Sequence, residues 1–128
     1  MTRRIIQTDA APQAIGAYSQ AVVAGNTLYV SGQIPLVAET MELDQGDISA
    51  QIRRVFGNLM AVIEAAGATG DQVSKLNVYL TDLANFPLVN EVLAEFFDEP
   101  FPARAVVGVA ALPKGVPVEV DAIVTLDH

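Results

Sequence analysis

Ala103-Arg104-Ala105-Val106-Val107-Gly108-Val109-Ala110-Ala111-Leu112, then Pro113-Lys114-Gly115, then Val116-Pro117-Val118-Glu119-Val120-Asp121-Ala122-Ile123-Val124-Thr125-Leu126: the fold turns on how this stretch is read. Both long runs are apolar and read as strands, and the Pro-Lys-Gly between them is turn chemistry. As consecutive antiparallel strands they would bring the Arg104 guanidinium within reach of the Glu119 carboxylate. Arg104 is the only one of seven basic residues set in a long apolar run. A buried charge is costly unless it is paired or has a ligand to bind, so this cation needs a reason.

Upstream, residues 5–20 are punctuated by Pro12 and Gly16 and read as an irregular lead-in with at most a short strand. Gln20 to Ala24 and Thr27 to Ser31 flank Gly25-Asn26, the pattern of a hairpin with a two-residue turn. Gly32 to Pro35 breaks the second of these strands, and a loop runs on through Gly46. Apolar residues then recur at Ile48, Ile52, Val55, Phe56, Leu59, Met60, Ile63 and Ala66, a helical stripe with Asp47 or Ser49 as cap and Gly67 as terminator. Such a stripe reads as core. Val73 to Leu80 alternates late in its run like a half-buried strand. Asn85 is placed to cap a second helix to about Phe97, with Pro87 in its first turn. The order is β-β-α-β-α-β-β, with room for a small strand after Pro35. It predicts an α+β domain, residues 1–128, with a mixed sheet of five or six strands and two helices on one face.

Alternation sorts the strand residues by face. Leu28, Val30, Leu76, Val78, Leu80, Ala105, Val107, Val109, Val118, Val120, Ala122 and Val124 form an apolar set expected to meet the helices. Tyr29, Ser31, Asn77, Tyr79, Arg104, Val106, Gly108, Glu119, Asp121 and Ile123 form the opposite set. It is mixed enough for a subunit interface holding a small polar site.

With 128 residues, 52% of them hydrophobic, and a mean hydropathy of +0.38, the chain is rich for a small domain. Part of its apolar surface is expected to be covered by sister subunits. The lack of cysteine excludes disulfides and thiolate metal sites, and nothing points to secretion. No stretch approaches a membrane span, so the cytoplasm is the default location. A net charge of −8 repels phosphate backbones unless cations cluster. The only basic doublets, Arg3-Arg4 and Arg53-Arg54, read as solvated surface, so nucleic acid is not an expected partner.

Two readings of Arg104 stand. Its planar fork suits a small carboxylate ligand, or it forms a structural salt bridge with Glu119 or Asp121. Glu119 is either a general base that orients water or the counter-ion of Arg104. Asp121, two residues on, can take the structural role and free Glu119. Tyr18 reads as packing or as a hydrogen-bond donor. Ser31 reads as a ligand contact but lacks the neighbouring base of a nucleophile. Asn90 reads as solvated or loop-bracing. The sole histidine, His128, is the last residue given, so histidine-based acid–base schemes lack their base. No metal-ligand cluster and no glycine-rich phosphate loop occurs. Neither Lys75 nor Lys114 reads as desolvated enough to form a Schiff base.

Ordered motifs along nearly the whole chain resemble the Rid/YjgF family of reactive-intermediate deaminases, also described as L-PSP endoribonucleases or translation inhibitors. They are Ala11-Pro12-Gln13-Ala14-Ile15-Gly16-Ala17-Tyr18-Ser19-Gln20, Ser31-Gly32-Gln33-Ile34-Pro35, Asn58-Leu59, Glu64-Ala65-Ala66-Gly67, Val89-Asn90-Glu91, Phe96-Phe97, Phe101-Pro102-Ala103-Arg104-Ala105, Leu112-Pro113-Lys114-Gly115 and Val118-Glu119-Val120. The resemblance implies a chorismate-mutase-like fold and a homotrimer with a cleft at each subunit interface. It implies cofactor-free hydrolysis of 2-aminoacrylate and 2-iminopropionate, products of pyridoxal-phosphate enzymes, to pyruvate and ammonia. On it, Arg104 holds the substrate carboxylate. Glu119 positions water with help from the Val106 carbonyl, and Tyr18, Ser31, Gly32 and Asn90 line the pocket. Val106 stands where some members carry cysteine, Asp121 where a glutamate is frequent, and Met41 where a turn glycine is common. Ribonuclease or translation-inhibitor activity and non-enzymatic carboxylate binding are the alternatives. Indifference to Arg104 and Glu119 substitutions would mark a chaperone-like trimer.

Overall fold

The computed structural model describes residues 2–126; His128, the sole histidine, lies outside the described residues. Six strands and two helices follow in the order β1 (Arg4–Ile6), β2 (Ala21–Ala24), β3 (Thr27–Gln33), α1 (Ile48–Ala65), β4 (Val73–Leu80), α2 (Phe86–Phe96), β5 (Ala103–Gly108) and β6 (Val118–Thr125). The lead-in strand is β1, paired with β2. The small strand allowed after Pro35 is only an isolated Leu36–Leu43 bridge.

Asp47 caps α1, accepting from the Ala50 N–H at 2.9 Å. The helix ends where Gly67 takes φ 82°, a left-handed turn that costs glycine little. Ile52, Val55, Phe56, Leu59, Val62 and Ile63 are fully buried, so the stripe packs on the sheet. Phe56 also reaches α2's end, with ring centroids 5.8 Å from Phe96 and 6.3 Å from Phe97. Asn85 stands at the start of α2 but makes no side-chain cap; Asp82 instead accepts from the Ala84 N–H and caps the 3-10 turn before it.

The sheet order is β1-β2-β3-β6-β4-β5. The hairpin closes as expected on Gly25-Asn26, with Ala24 opposite Thr27. The final pairing does not. Ala103–Gly108 lies parallel to β4, while β6 lies antiparallel between β3 and β4, so the two C-terminal strands are not neighbours. The apolar run to Leu112 stops being strand at Gly108. Residues 109–117 then cross the end of β4: the Val109 N–H donates to the Leu80 carbonyl at 2.8 Å, and the Thr81 N–H to the Pro117 carbonyl at 3.2 Å. A helix connects β4 to β5, the usual route to a parallel neighbour.

This pairing corrects the sorting of faces. Leu76, Val78 and Leu80 pair with Arg104, Val106 and Gly108 and share their side of the sheet, the helix side. Val106 accordingly packs against the core, and Val107 is 44% exposed. Arg104, Val106 and Gly108 are therefore not on the face of Glu119, and Ala105 and Val107 are not on the helix face. The other strands sort as expected: Leu28, Val30, Val118, Val120, Ala122 and Val124 are buried.

Candidate active site

The β3–β6 ladder shifts register between Val30, opposite Ala122, and Gln33, opposite Val120. Ser31 and Gly32 thus share the space of one partner residue in a bulge, a device that re-aims side chains. It turns Gly32 onto Glu119: a Cβ on Gly32 would lie 1.9 Å from the Glu119 Oε2. Only glycine lets this carboxylate rest against the backbone.

The lead-in loop forms the facing wall. The buried carboxamide of Gln20 fastens it, accepting from the Thr8 N–H at 2.7 Å and donating to the carbonyls of Thr8 at 3.1 Å and Pro12 at 2.8 Å. The Gln20 carbonyl accepts from the Ser31 N–H at 3.0 Å, and the Ser31 hydroxyl donates to the Ser19 carbonyl at 2.5 Å. Ser31 is thus committed to joining lead-in and bulge. Tyr18 is half exposed, its hydroxyl accepting from the Ile15 N–H at 3.3 Å. Together with Lys114 of the last turn these elements enclose a cleft of about 570 Å³ lined by Tyr18, Ser31, Gly32 and Glu119.

Burial pushes the Glu119 carboxyl above the ordinary carboxylate range, and the neighbouring Asp121 adds to it. Among the described residues, no hydrogen bond supports the Glu119 carboxyl. Asp121 accepts instead from Asn77 Nδ2 at 2.8 Å and from the Tyr79 hydroxyl at 3.0 Å. Burial, and then that bond to Asp121, raise the Tyr79 phenol.

Arg104 stands elsewhere. Its guanidinium hydrogen-bonds the Asn90 Oδ1 of α2 and lies 5.1 Å from the centroid of the Phe86 ring. It rims a second cleft, of about 510 Å³, floored by Leu76 and Leu93 and flanked by Asn90 and Phe101. The salt bridge to Glu119 or Asp121 is not made. The ion pairs among the described residues are Arg53–Glu95 at 2.8 Å and Arg54–Asp44 at 3.0 Å, so that basic doublet is tied to acids. A neutral amide oxygen and an aromatic face orient the Arg104 charge without cancelling it, leaving donors for an anion.

One copy of the chain therefore brings Tyr18, Ser31, Gly32 and Glu119 together, and Arg104 with Asn90 separately. Val106 belongs to the Arg104 half, on an edge strand with no strand on its outer side. Gln20 and Phe86 were missed by sequence reasoning. A glutamine entering a strand and a phenylalanine opening a helix carry no spacing signal, because both act through tertiary contacts.

The sequence profile of the family described as Endoribonuclease L-PSP matches residues 8–126. A 2-iminobutanoate/2-iminopropanoate deaminase from Dermatophagoides farinae is 48% identical over 125 residues, covering 98% of either chain. The crystal structure of RidA from an Antarctic Psychrobacter superposes with a TM-score of 0.92 at 53% identity, covering 96% of this chain and 99% of that one. Escherichia coli TdcF with bound serine superposes with a TM-score of 0.91 at 41% identity, covering 97% and 99%.

Proposed function

The chain belongs to the endoribonuclease L-PSP family, the Rid/YjgF group, and from that membership we propose that it hydrolyses reactive 2-enamine and 2-imino acids to 2-keto acids and ammonia. The observation that carries the reading is the pair of prepared but unused groups. Among the described residues, Arg104 is oriented yet has no acidic partner, and the Glu119 carboxyl is raised yet has no side-chain hydrogen bond. The relative from Dermatophagoides is named for this reaction. The TdcF structure holds serine, a small α-amino carboxylate.

The Arg104 fork takes the substrate carboxylate, with Asn90 holding the guanidinium. Charge-assisted bonds of this type contribute about 1.5–3 kcal/mol each. Glu119 orients a water toward the C=N carbon, with the Val106 carbonyl as second acceptor and Tyr18, Ser31 and Gly32 as walls. An imine is already electrophilic, so a clamp and a placed water suffice. The scheme needs no cofactor and no metal.

The two halves meet between copies. β4 separates Arg104 from Glu119 within one chain, and the two residues leave opposite faces of the sheet. Tyr29 at 51% exposed and Val107 at 44% stand on the open face beside Glu119, apolar surface that a sister sheet would cover. A homotrimer with one site per interface is the assembly proposed, and the cytoplasm, the default read from composition, is its proposed location. The test is pyruvate release in a coupled assay that generates 2-aminoacrylate in place. Wild-type protein accelerates it, and failure to do so ends the reading.

A further inference from the structure

Glu119 and Asp121 leave the same face of β6 two residues apart, yet they are held in opposite ways. Tyr79 lies directly across from Glu119 on β4, and Asn77 directly across from Asp121. The Tyr79 hydroxyl passes over its own cross-strand partner and binds Asp121 diagonally, at 3.0 Å. Asn77 takes the other Asp121 oxygen at 2.8 Å. Both oxygens of Asp121 are thus occupied by donors, and the hydroxyl of the residue paired with Glu119 is turned to Asp121 instead.

We propose that Asp121, clamped by Asn77 and Tyr79, is a positioning residue of imine hydrolysis: a fixed anion beside Glu119 that sets Glu119 to shuttle one proton between water and nitrogen. This rests on the deaminase reading. The reaction moves a proton twice. As the water oxygen bonds to the imine carbon, Glu119 takes the water proton, and the C=N π pair moves onto nitrogen, which then takes that proton from Glu119. In the second step Glu119 takes the proton of the new hydroxyl and passes it to nitrogen. The C–N bond breaks with its pair on nitrogen, leaving ammonia and the keto acid, and Glu119 ends as it began. A carboxyl that accepts and returns a proton with equal ease works best when raised towards the working pH.

The groups facing Glu119 are Asp121 on β6, Tyr79 on β4, Tyr18 on the lead-in and Lys114 on the last turn. Arg104 of a neighbouring copy joins them on assembly and acts in the opposite direction to Asp121. Burial lifts Glu119 most, and Asp121 is the charged neighbour that lifts it further.

The experiment is a carboxyl NMR titration of Glu119 in wild type, Asp121→Asn and Asp121→Glu, with the pH profile of kcat/KM for each in the 2-aminoacrylate assay. In Asp121→Asn the Glu119 midpoint falls, the acid limb moves to lower pH with it, and kcat drops by about tenfold. Asp121→Glu keeps the charge and keeps the limb near its wild-type position. A limb and midpoint that stay in place in Asp121→Asn, whatever the loss of rate, overturn the inference. The titration is read without substrate. A wild-type protein that hydrolyses no imine while its Glu119 midpoint still follows Asp121 therefore sinks the deaminase reading and the shuttle, and leaves the coupling of the two carboxyls standing.

Discussion

The Glu119 cleft and the Arg104 cleft differ in what holds them. Glu119 sits on β6, which is paired along both edges and alternates between buried and half-buried residues over its whole length. Arg104 sits on β5, an edge strand with one parallel neighbour and no fully buried residue. The backbone positions Glu119: ladder, bulge and the glycine against its carboxylate. Side chains position Arg104: the Asn90 amide below one nitrogen and the Phe86 ring across its face. The contrast matches the work proposed for each. Moving protons tolerates little displacement, so that group stands on the best-held strand. Gripping a carboxylate calls for an outward-facing cation, which an edge strand offers to a second copy.

The largest effect expected tests whether the halves meet between copies. Arg104→Ala and Glu119→Gln should each lower kcat/KM by about 10²–10⁴-fold. Mixing the two inactive proteins under conditions of subunit exchange should then restore a measurable share of activity, because some interfaces pair an intact Glu119 with an intact Arg104. Mixtures as dead as their parents would place the whole site in one chain.

Gly32→Ala comes next. The new Cβ would overlap Glu119 Oε2, and a displacement of that size costs on the order of 10²-fold. The loss should fall on kcat, with binding of a keto-acid inhibitor to Arg104 kept. Asn90→Ala acts on the other half: KM should rise by about tenfold as one bond to the charged group is lost, with kcat nearly unchanged. A variant that lowers kcat instead would show Asn90 serving the chemistry rather than the arginine.

The smallest effect is on stability. The Glu119 carboxyl is raised in the folded chain, so its protonated form favours folding. That contribution is complete below the ordinary glutamate value and disappears as pH rises through the raised folded value. Glu119→Gln should therefore unfold at a higher temperature than wild type above that window and show no advantage below it. Equal melting temperatures at neutral pH would mean that assembly, through Arg104 of a neighbouring copy, has removed the cost of the charge.

Some of this was legible in the chain. The α1 stripe from Ile52 to Ile63 and its Gly67 stop are set within a few turns of helix and are legible in the spacing, which leaves the cap between Asp47 and Ser49 for the structure to decide. So were the Gly25-Asn26 hairpin and the whole of β4. The same alternation failed on β5. Ala105 and Val107 on one side and Val106 and Gly108 on the other offer no polar contrast, so the pattern fits either orientation and a one-residue slip exchanges them. The candidate residues are individually visible, Arg104 by its apolar setting, Glu119 by its place in the strand that follows, and the pocket-lining residues chiefly by the family motifs. Their division between two clefts was not.

The sequence by itself determined the elements, their caps and turns, and the choice of buried side on every strand with a clear period, because those depend on contacts a few residues apart. The tertiary structure alone decided that β6 enters the sheet between β3 and β4, and that the strand bearing Arg104 ends at the edge, parallel to β4 and facing the helices. That choice depends on which long-range arrangement buries the alternating side of β6 along both its edges. No local pattern records a free energy summed over strands some fifty and ninety residues apart.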